Sequence, residues 1–332
     1  TISEAHSKDI TIPISFSGTT TYGIDFSTEF SSKNEISIVA GVTAVGGNSL
    51  SQTNYPNDVA ADSSGNIYVC DSNNSRIMKY APGSLEGTIL HNGYFTRIKI
   101  DSSDNIFLLN PNSHSIIKLI YSNDSYTESV VAGGNGIGNE LNQLSSPQGF
   151  DIDKDANIYI ADYQNHRVVK WAPGASQGSI VAGGNGEGTA LNQVSRPRAV
   201  AVNSLGDVYV SDSDYSNQLM KWESGASEGV KVLYAYSLRD IEINSSDEIF
   251  LSFKYDNVVR KYSSSYQSLG NVFGGSRGSS LNQLRYPEGI FVDDFGDVYV
   301  ADTDNHRVLK VKLNPEIFIE SGSTTGVLSI TG

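Results

Sequence analysis

The sequence predicts an all-β protein: a six-bladed β-propeller, closed by an N-terminal strand and inserted in a partial, discontinuous β-sandwich. The first observation is a unit that recurs over residues 131–171, 181–222 and 274–311. The second is that each unit contains short runs rich in Val, Ile and Tyr, separated by Gly, Pro, Asn and Asp, as in strands joined by tight turns. The third is that short β-rich segments at both ends of the chain do not fit this unit. A single four-stranded unit cannot bury both faces, so the copies must stack.

The blade count follows from one aromatic position in the second strand of each unit. The spacings between successive copies are 39, 52, 50, 41 and 49 residues, within the range of four-stranded propeller blades. The first strands are expected at residues 58–62, 97–101, 149–153, 199–203, 240–244 and 289–293. The six aromatic residues are Tyr68, Phe107, Tyr159, Tyr209, Phe250 and Tyr299.

The sixth blade lacks a fourth strand after residue 311, whereas the five preceding units each have one. A matching segment stands at the front of the chain, at residues 35–39, and is followed by AGVTAVGG much as other fourth strands are followed by AGGNG. The sequence therefore predicts a propeller over residues 35–313 that the N-terminal strand completes. Such closure removes sheet edges that otherwise promote aggregation.

The turn between the second and third strands carries a distinctive pattern. Residues 162–167 read DYQNHR and residues 302–307 read DTDNHR, each after a G-[DN]-[IV]-Y-type or closely similar strand. Together with the preceding P-x-G segment, this pattern resembles the NHL repeat, whose family fold is a six-bladed β-propeller. The resemblance covers residues 35–313. Blades two, four and five depart from it, with Ser115, Gln218 and Val258 near the Arg position.

The two ends resemble a different family. Residues 2–26 look like the first part of a Calx-β-type sandwich, and residues 316–332 look like its later strand pair. The resemblance implies one sandwich domain split into residues 1–33 and 315–332, as in large surface adhesin-like proteins. It also implies that Glu4 and Asp25 contribute to a Ca²⁺ site, which is expected to be incomplete because further acidic ligands would lie beyond Gly332.

Composition excludes several classes of function. The 23 basic and 37 acidic residues give a net charge of −14, which disfavours binding to nucleic acid or to an anionic membrane. No apolar run is long enough to insert in a membrane. Cys70 is the single cysteine, so no intrachain disulfide forms. The chain begins without Met and is interpreted as part of a longer protein, with an extracellular or cell-surface location expected.

The Asp, Asn, His and Arg of the turn pattern permit two interpretations. Histidine and aspartate can perform acid–base chemistry, but a ring of identical catalytic sites would be unusual, so an architectural ion pair is favoured. A zinc site of three histidines is disfavoured, because His166 and His306 are expected on opposite blades while His91 and His114 lie near blade two. The chain is therefore predicted not to be an enzyme.

The first strands indicate where a ligand could bind. Because side chains alternate along a strand, one set should pack between blades while the other, which includes Lys99 and Asp151, should face the central channel. The loops at 133–147 and 183–197 are the longest of the ring and should border the channel mouth. The predicted ligand-binding residues at this mouth are Asn57, Gln148, Arg198, Arg239 and Glu288.

The leading interpretation is a non-enzymatic display domain that binds a glycan, a peptide or a protein at this mouth. The alternative is a metal-dependent propeller hydrolase or lactonase, with Ca²⁺ at the axis held by Asn57, Asp58, Asp240 and Glu288. A third possibility, RNA binding, is disfavoured because the mouth offers only two arginines and the net charge opposes it.

Overall fold

The computed structural model describes residues 9–13, 34–42, 45–122, 125–212, 217–313, 317–319 and 327–331. These residues form two compact units, one of residues 36–311 and one built from the two ends of the chain. The larger unit contains six four-stranded sheets, each a blade, with antiparallel pairing between neighbouring strands. Within each blade we number the strands from first to fourth. The first strands contact one another around the axis.

Blades one to three follow one another without crossovers. Blade one consists of Pro56–Ala61, Ile67–Asp71, Arg76–Tyr80 and Thr88–Asn92. Blade two consists of Arg97–Ile100, Ile106–Asn110, Ser115–Ser122 and Ser125–Gly133. Blade three consists of Gly149–Ile152, Ile158–Asp162, Arg167–Trp171 and Ser179–Gly183.

Blades four to six complete the ring. Blade four consists of Val200–Val202, Val208–Asp212, Gln218–Trp222 and Val230–Tyr234. Blade five consists of Leu238–Ile243, Ile249–Phe253, Val258–Tyr262 and Ser268–Gly274. Blade six consists of Ile290–Val292, Val298–Asp302 and Arg307–Lys312, with Glu35–Ala40 at its outer edge. Short 3-10 helices at Ser72–Asn74, Tyr163–Asn165 and Thr303–Asn305 follow three of the second strands.

The turn between first and second strands shows why this sequence forms hairpins. In blade one, the Asp62 carboxylate accepts hydrogen bonds from the backbone N–H groups of Ser64 and Asn66 at 3.0 and 2.8 Å. Gly65 sits in the left-handed region at φ 77°, which glycine adopts without strain. Blade three uses Asp153 and Asn157 in the same manner. The side chain thus replaces backbone partners and stabilises the turn.

The hydrophobic core lies between blades rather than inside one of them. Ile77 and Cys70 of blade one are fully buried against Ile98 and Leu108 of blade two. Equivalent clusters join blades two and three, three and four, four and five, and six and one. Two buried tryptophans, Trp171 and Trp222, end the third strands of blades three and four. A blade without its neighbours would expose these side chains, so the ring is the stable unit.

The N-terminal strand contributes to the junction between the last and first blades. Ala40 is fully buried in the cluster that also contains Val59 and Val308, and Val39 packs against it. Thr53 in the following loop donates a hydrogen bond to the backbone carbonyl of His306 at 2.6 Å. That this strand holds the ring closed in solution stays a prediction, and its test is given in the Discussion.

The chain ends form a separate three-stranded sheet. Val327–Thr331 pairs antiparallel with Asp9–Pro13 on one side and with Ile317–Ile319 on the other. The register joins Ile10 to Ile330, so these strands pair although more than 300 residues separate them in sequence. Residues 14–33 and 320–326, within the two predicted parts of the sandwich, lie outside the described residues. The Calx-β sandwich, with its domain boundaries, stays a prediction.

Within the described ranges, no helix has both the length and the apolar character needed to cross a bilayer.

Candidate functional site

The Asp, Asn and Arg of the repeated turn form a buried network. In blade six, the Asp302 carboxylate accepts hydrogen bonds from the Arg307 Nε at 2.7 Å and the Asn305 amide at 2.8 Å. The Arg307 guanidinium also donates to the carbonyls of residues 279, 280 and 283 at 2.9–3.1 Å. Blades one and three repeat these contacts through Arg76 and Arg167. The network connects the turn to the loop that enters the same blade. This structural role explains why Asp, Asn and Arg occur together in the turn.

The histidines of the same turn join one blade to the next. The Nδ1 atom of His306 accepts a hydrogen bond from the Tyr55 backbone N–H of blade one at 3.1 Å. His166 and His114 accept equivalent bonds from Arg196 and Ser146. Burial lowers the pKa of His306, in keeping with a neutral ring that uses Nδ1 as an acceptor. These histidines have structural partners in three separate junctions and do not converge on one site.

The central channel is crossed by Arg97, a residue that was not predicted from the sequence. Its guanidinium donates to the backbone carbonyl of Asn57 in blade one and to that of Arg239 in blade five, both at 3.1 Å. Blades two and five lie opposite each other, so this side chain spans the axis. Strand alternation could have identified it, because Arg97 lies two residues before Lys99 and therefore faces the channel as well. The same rule places Asp58 and Asp240 there.

A second cation crosses the channel one layer further along the strands. The ammonium group of Lys99 forms a short ion pair with Glu242 of blade five and lies 3.8 Å from the Asp151 carboxylate of blade three. The sequence predicted that Lys99 and Asp151 share the channel, but the closer partner of Lys99 is Glu242, because the opposite blade reaches the same axis. Lys99 and Arg97 therefore place two cations among the carboxylates of the channel.

The channel carboxylates also bond to backbone groups of adjacent blades. Asp58 accepts from the Ile98 N–H, Asp151 from Val202 and Asp240 from Ile290, each at 2.9 Å. Each bond joins a first strand to the first strand of the next blade. These groups accordingly link blades one to two, three to four, and five to six.

Burial is the main reason that two channel acids have raised pKa values. Burial, and then the Asp240 carboxylate, raises the pKa of Asp58 to about 7. Burial also raises the pKa of Glu242 to about 8, against the opposing effect of Lys99. Four carboxylates share this channel with two cations, so the folded protein retains protons on acids that are ionised when unfolded at neutral pH.

This imbalance predicts a pH-dependent stability. Because the folded state binds more protons than the unfolded state between about pH 4 and 8, the free energy of unfolding should fall as pH rises through 7 to 8. We expect the melting temperature to drop by at least about 2 °C between pH 6 and pH 9. Glu242→Gln should reduce this slope, while Glu223→Gln, whose side chain is 77% exposed, should leave it unchanged. An identical slope in all three proteins would contradict the prediction.

Two of the predicted mouth residues, Arg198 and Arg239, line one cavity. It has a volume of about 140 Å³ and lies on the face that carries the turns between second and third strands, here called the loop face. The remaining walls are contributed by Asn217, Ala235, Tyr236, Ser237, Leu238 and Tyr255. The Arg198 guanidinium lies 5.0 Å from the centre of the Tyr163 ring and donates to its hydroxyl at 3.3 Å.

The other three predicted mouth residues do not line this cavity. Glu288 bonds to the Lys254 ammonium at 2.5 Å and lies 3.8 Å from the Arg239 Nε. Asn57 offers its backbone carbonyl to Arg97. The Gln148 amide contacts the carbonyl of Ser146 in its own loop at 3.5 Å. The mouth is thus a set of local contacts rather than one convergent cluster of these five residues.

Tyrosines near the cavity were not singled out from the sequence. Tyr236 and Tyr255 are 49% and 52% exposed, and their ring centres lie 6.0 Å apart. The ring centre of Tyr286 lies 5.9 Å from that of Tyr255. The Arg277 guanidinium lies 4.6 Å from the Tyr286 ring centre. They come from different loops, so their sequence positions, at 236, 255 and 286, gave no sign of a common surface.

The predicted calcium ligands Glu4 and Asp25 lie outside the described residues, so a site there stays a prediction. Among the described residues, no three His, Cys, Asp or Glu side chains are grouped so as to hold a metal ion. Of the four residues named for an axial Ca²⁺, Asp58 and Asp240 face the channel beside Arg97. The Arg97 guanidinium interacts electrostatically with both carboxylates, and each also accepts a backbone hydrogen bond, which disfavours a metal at these residues; the axial Ca²⁺ stays a prediction.

The geometry defines a six-bladed β-propeller, and three of its blades match the NHL repeat. The NHL repeat family matches residues 53–80, 144–171 and 284–311. These ranges hold the first, second and third strands of blades one, three and six, the same blades that carry the complete Asp–Asn–Arg network.

One relative in sequence is NHL repeat-containing protein 3 of Homo sapiens, 39% identical over 64 residues. The match spans 17% of this chain and 18% of that protein, so the chain corresponds to less than a fifth of its length.

Solved structures share the fold at low sequence identity. A gluconolactonase from Xanthomonas campestris is 12% identical, with a TM-score of 0.64 over 85% of this chain and 90% of that one. An auxiliary nutrient binding protein from Bacteroides thetaiotaomicron is 11% identical, with a TM-score of 0.60 over 84% and 76%. Virginiamycin B lyase from Staphylococcus aureus is 11% identical, with a TM-score of 0.54 over 85% and 99%. These similarities concern the fold and include both enzymes and a binding protein.

Proposed function

We propose that this propeller is a non-enzymatic binding domain of a large secreted or cell-surface adhesin-like protein. It binds a glycan, a peptide or a protein on its loop face. The observation that carries the proposal is the cavity between Arg198 and Arg239, bordered by the exposed rings of Tyr236 and Tyr255. Tyrosine and arginine at a concave, partly polar surface are the residues that contribute most to recognition.

The hydrogen bonds of the histidines and channel acids favour a binding protein over an enzyme. The histidines of blades two, three and six each accept a bond from a backbone N–H. The channel acids Asp58 and Asp240 accept bonds from backbone N–H groups as well. A general base needs a free lone pair within reach of a substrate, and the Nδ1 lone pair of each of these histidines is taken up by a hydrogen bond that joins two blades. The similarity to a nutrient binding protein is compatible with this proposal.

A glycan and peptide array probed with the purified chain tests the proposal. We expect binding that falls by about 30-fold or more when Arg198 and Arg239 are both changed to alanine, because such residues often contribute 2 kcal/mol or more each. Melting curves of the double variant check that the loss does not come from unfolding, because the Arg239 side chain is only 15% exposed and lies 3.8 Å from Glu288.

The matched control lies on the opposite face, which carries the turns between first and second strands. Phe295 is 87% exposed there, and Phe295→Ala should leave binding unchanged. Binding that survives the double arginine change, or that is lost with Phe295→Ala, would place the site elsewhere. Hydrolysis of a sugar lactone by the chain, abolished in Asp58→Asn, would instead support the calcium-dependent lactonase alternative.

A further inference from the structure

The cavity on the loop face has positively charged walls. Of the residues that line it, Arg198 and Arg239 carry charge, and the described lining contains no carboxylate. The Arg239 Nε atom is buried, and among the described residues it has no hydrogen-bond acceptor. The Glu288 carboxylate lies 3.8 Å away, beyond hydrogen-bond distance. A buried donor without an acceptor is costly, so this nitrogen favours a ligand that can accept a bond.

Local charge balance also favours an anion. Arg239 and Lys254 share one acid, Glu288, which bonds to Lys254 at 2.5 Å and lies 3.8 Å from the Arg239 Nε. Arg239 is therefore only partly neutralised. Burial lowers the pKa of Arg239 against the opposing attraction of Glu288, and repulsion from Arg198 acts in the same direction as burial. An anion between the two guanidinium groups would relieve this repulsion and accept charge-assisted hydrogen bonds.

The surroundings indicate what kind of molecule carries the anion. At about 140 Å³ the cavity is smaller than the roughly 300–1,000 Å³ of a pocket for a whole small molecule. One charged group can enter while the rest of the ligand lies on the surface outside. That surface is formed by Tyr236 and Tyr255, whose half-exposed rings offer flat apolar faces with polar hydroxyl groups. The C–H face of a sugar ring suits such a platform.

We propose that the cavity between Arg198 and Arg239 is an anion subsite that takes the carboxylate of an acidic sugar, with the sugar ring against Tyr255. This assignment rests on the proposed function, because it names the ligand class of the same face. It predicts that this acidic protein binds an acidic glycan through a locally basic cavity.

Calorimetric titration of the full chain with paired ligands tests this assignment. The probes are oligosaccharides of galacturonate, of glucuronate and of sialic acid, each beside its uncharged methyl ester. We expect one acid to bind at least 10-fold tighter than its ester. Arg239→Gln should weaken binding of the acid by 10-fold or more and leave the ester unaffected, with Arg198→Gln behaving alike. Arg260→Gln, on the third strand of blade five with a side chain 33% exposed, is the matched control and should change neither.

The outcomes separate the two proposals. Equal binding of acid and ester, with no effect of Arg239→Gln, would overturn the anion subsite while leaving a binding function intact. If neither binds and the array is also empty, both proposals are wrong. If tetraglutamate binds with dependence on Arg239 while the sugars do not, the ligand is an acidic peptide and the sugar assignment is overturned. Melting curves of each variant confirm that an affinity loss does not come from unfolding.

Discussion

Arg307→Ala is expected to destabilise the propeller by about 3–5 kcal/mol. The Arg307 and Asp302 side chains are both fully buried, so removal of the guanidinium leaves a carboxylate without its cation. Three backbone carbonyls of the entering loop lose their donors as well. Urea unfolding followed by tryptophan fluorescence would measure the change, and the melting temperature should fall by about 2 °C or more for each kcal/mol.

The chain offers a matched control for this substitution. Arg260 is paired with Asp256 at 3.0 Å on the surface, with side chains 33% and 42% exposed. Arg260→Ala should cost no more than about 1 kcal/mol, as exposed ion pairs do. In the double variant Asp302→Ala/Arg307→Ala, the loss should be smaller than the sum of the two single losses, because no orphan charge remains. A loss of under about 1 kcal/mol in Arg307→Ala would refute the role of the network.

Deletion of residues 35–40 is expected to give a protein that aggregates or loses its cooperative melting transition. The strand forms the outer edge of blade six, and its Ala40 is buried at the junction with blade one. Without it, the third strand Arg307–Lys312 would present an unpaired edge, which recruits other chains. Size-exclusion chromatography and calorimetry would measure the outcome.

Two further proteins make this deletion specific. Ser37→Thr, at an exposed position of the same strand, should leave stability within about 0.5 kcal/mol of the parent. A peptide of residues 34–42 added to the deleted protein should restore part of the transition by pairing with the free edge. An undiminished melting transition after deletion would show that the ring does not depend on this strand.

The architecture of the blades was accessible from sequence because it depends on local patterns. The period of about 40–50 residues, the alternation along each strand and the turn residues at fixed positions predicted six blades with correct strand positions. Asp71 and Arg76 are five residues apart, so their pairing across one turn could be predicted as well. The partners of the guanidinium in the entering loop, such as the carbonyl of Asn48, could not, since they lie 28 residues away.

The site required the tertiary structure. The sequence alone determined that first strands line a channel and that Arg198 and Arg239 lie at its mouth. Only the assembled ring decided that Arg97 reaches the Arg239 carbonyl, 142 residues away, and that Lys99 pairs with Glu242. The physical reason is that strand periodicity determines which side a residue faces, whereas six strands share one channel volume. Which side chain fills that volume depends on the size and charge of the groups opposite, and sequence spacing does not specify them.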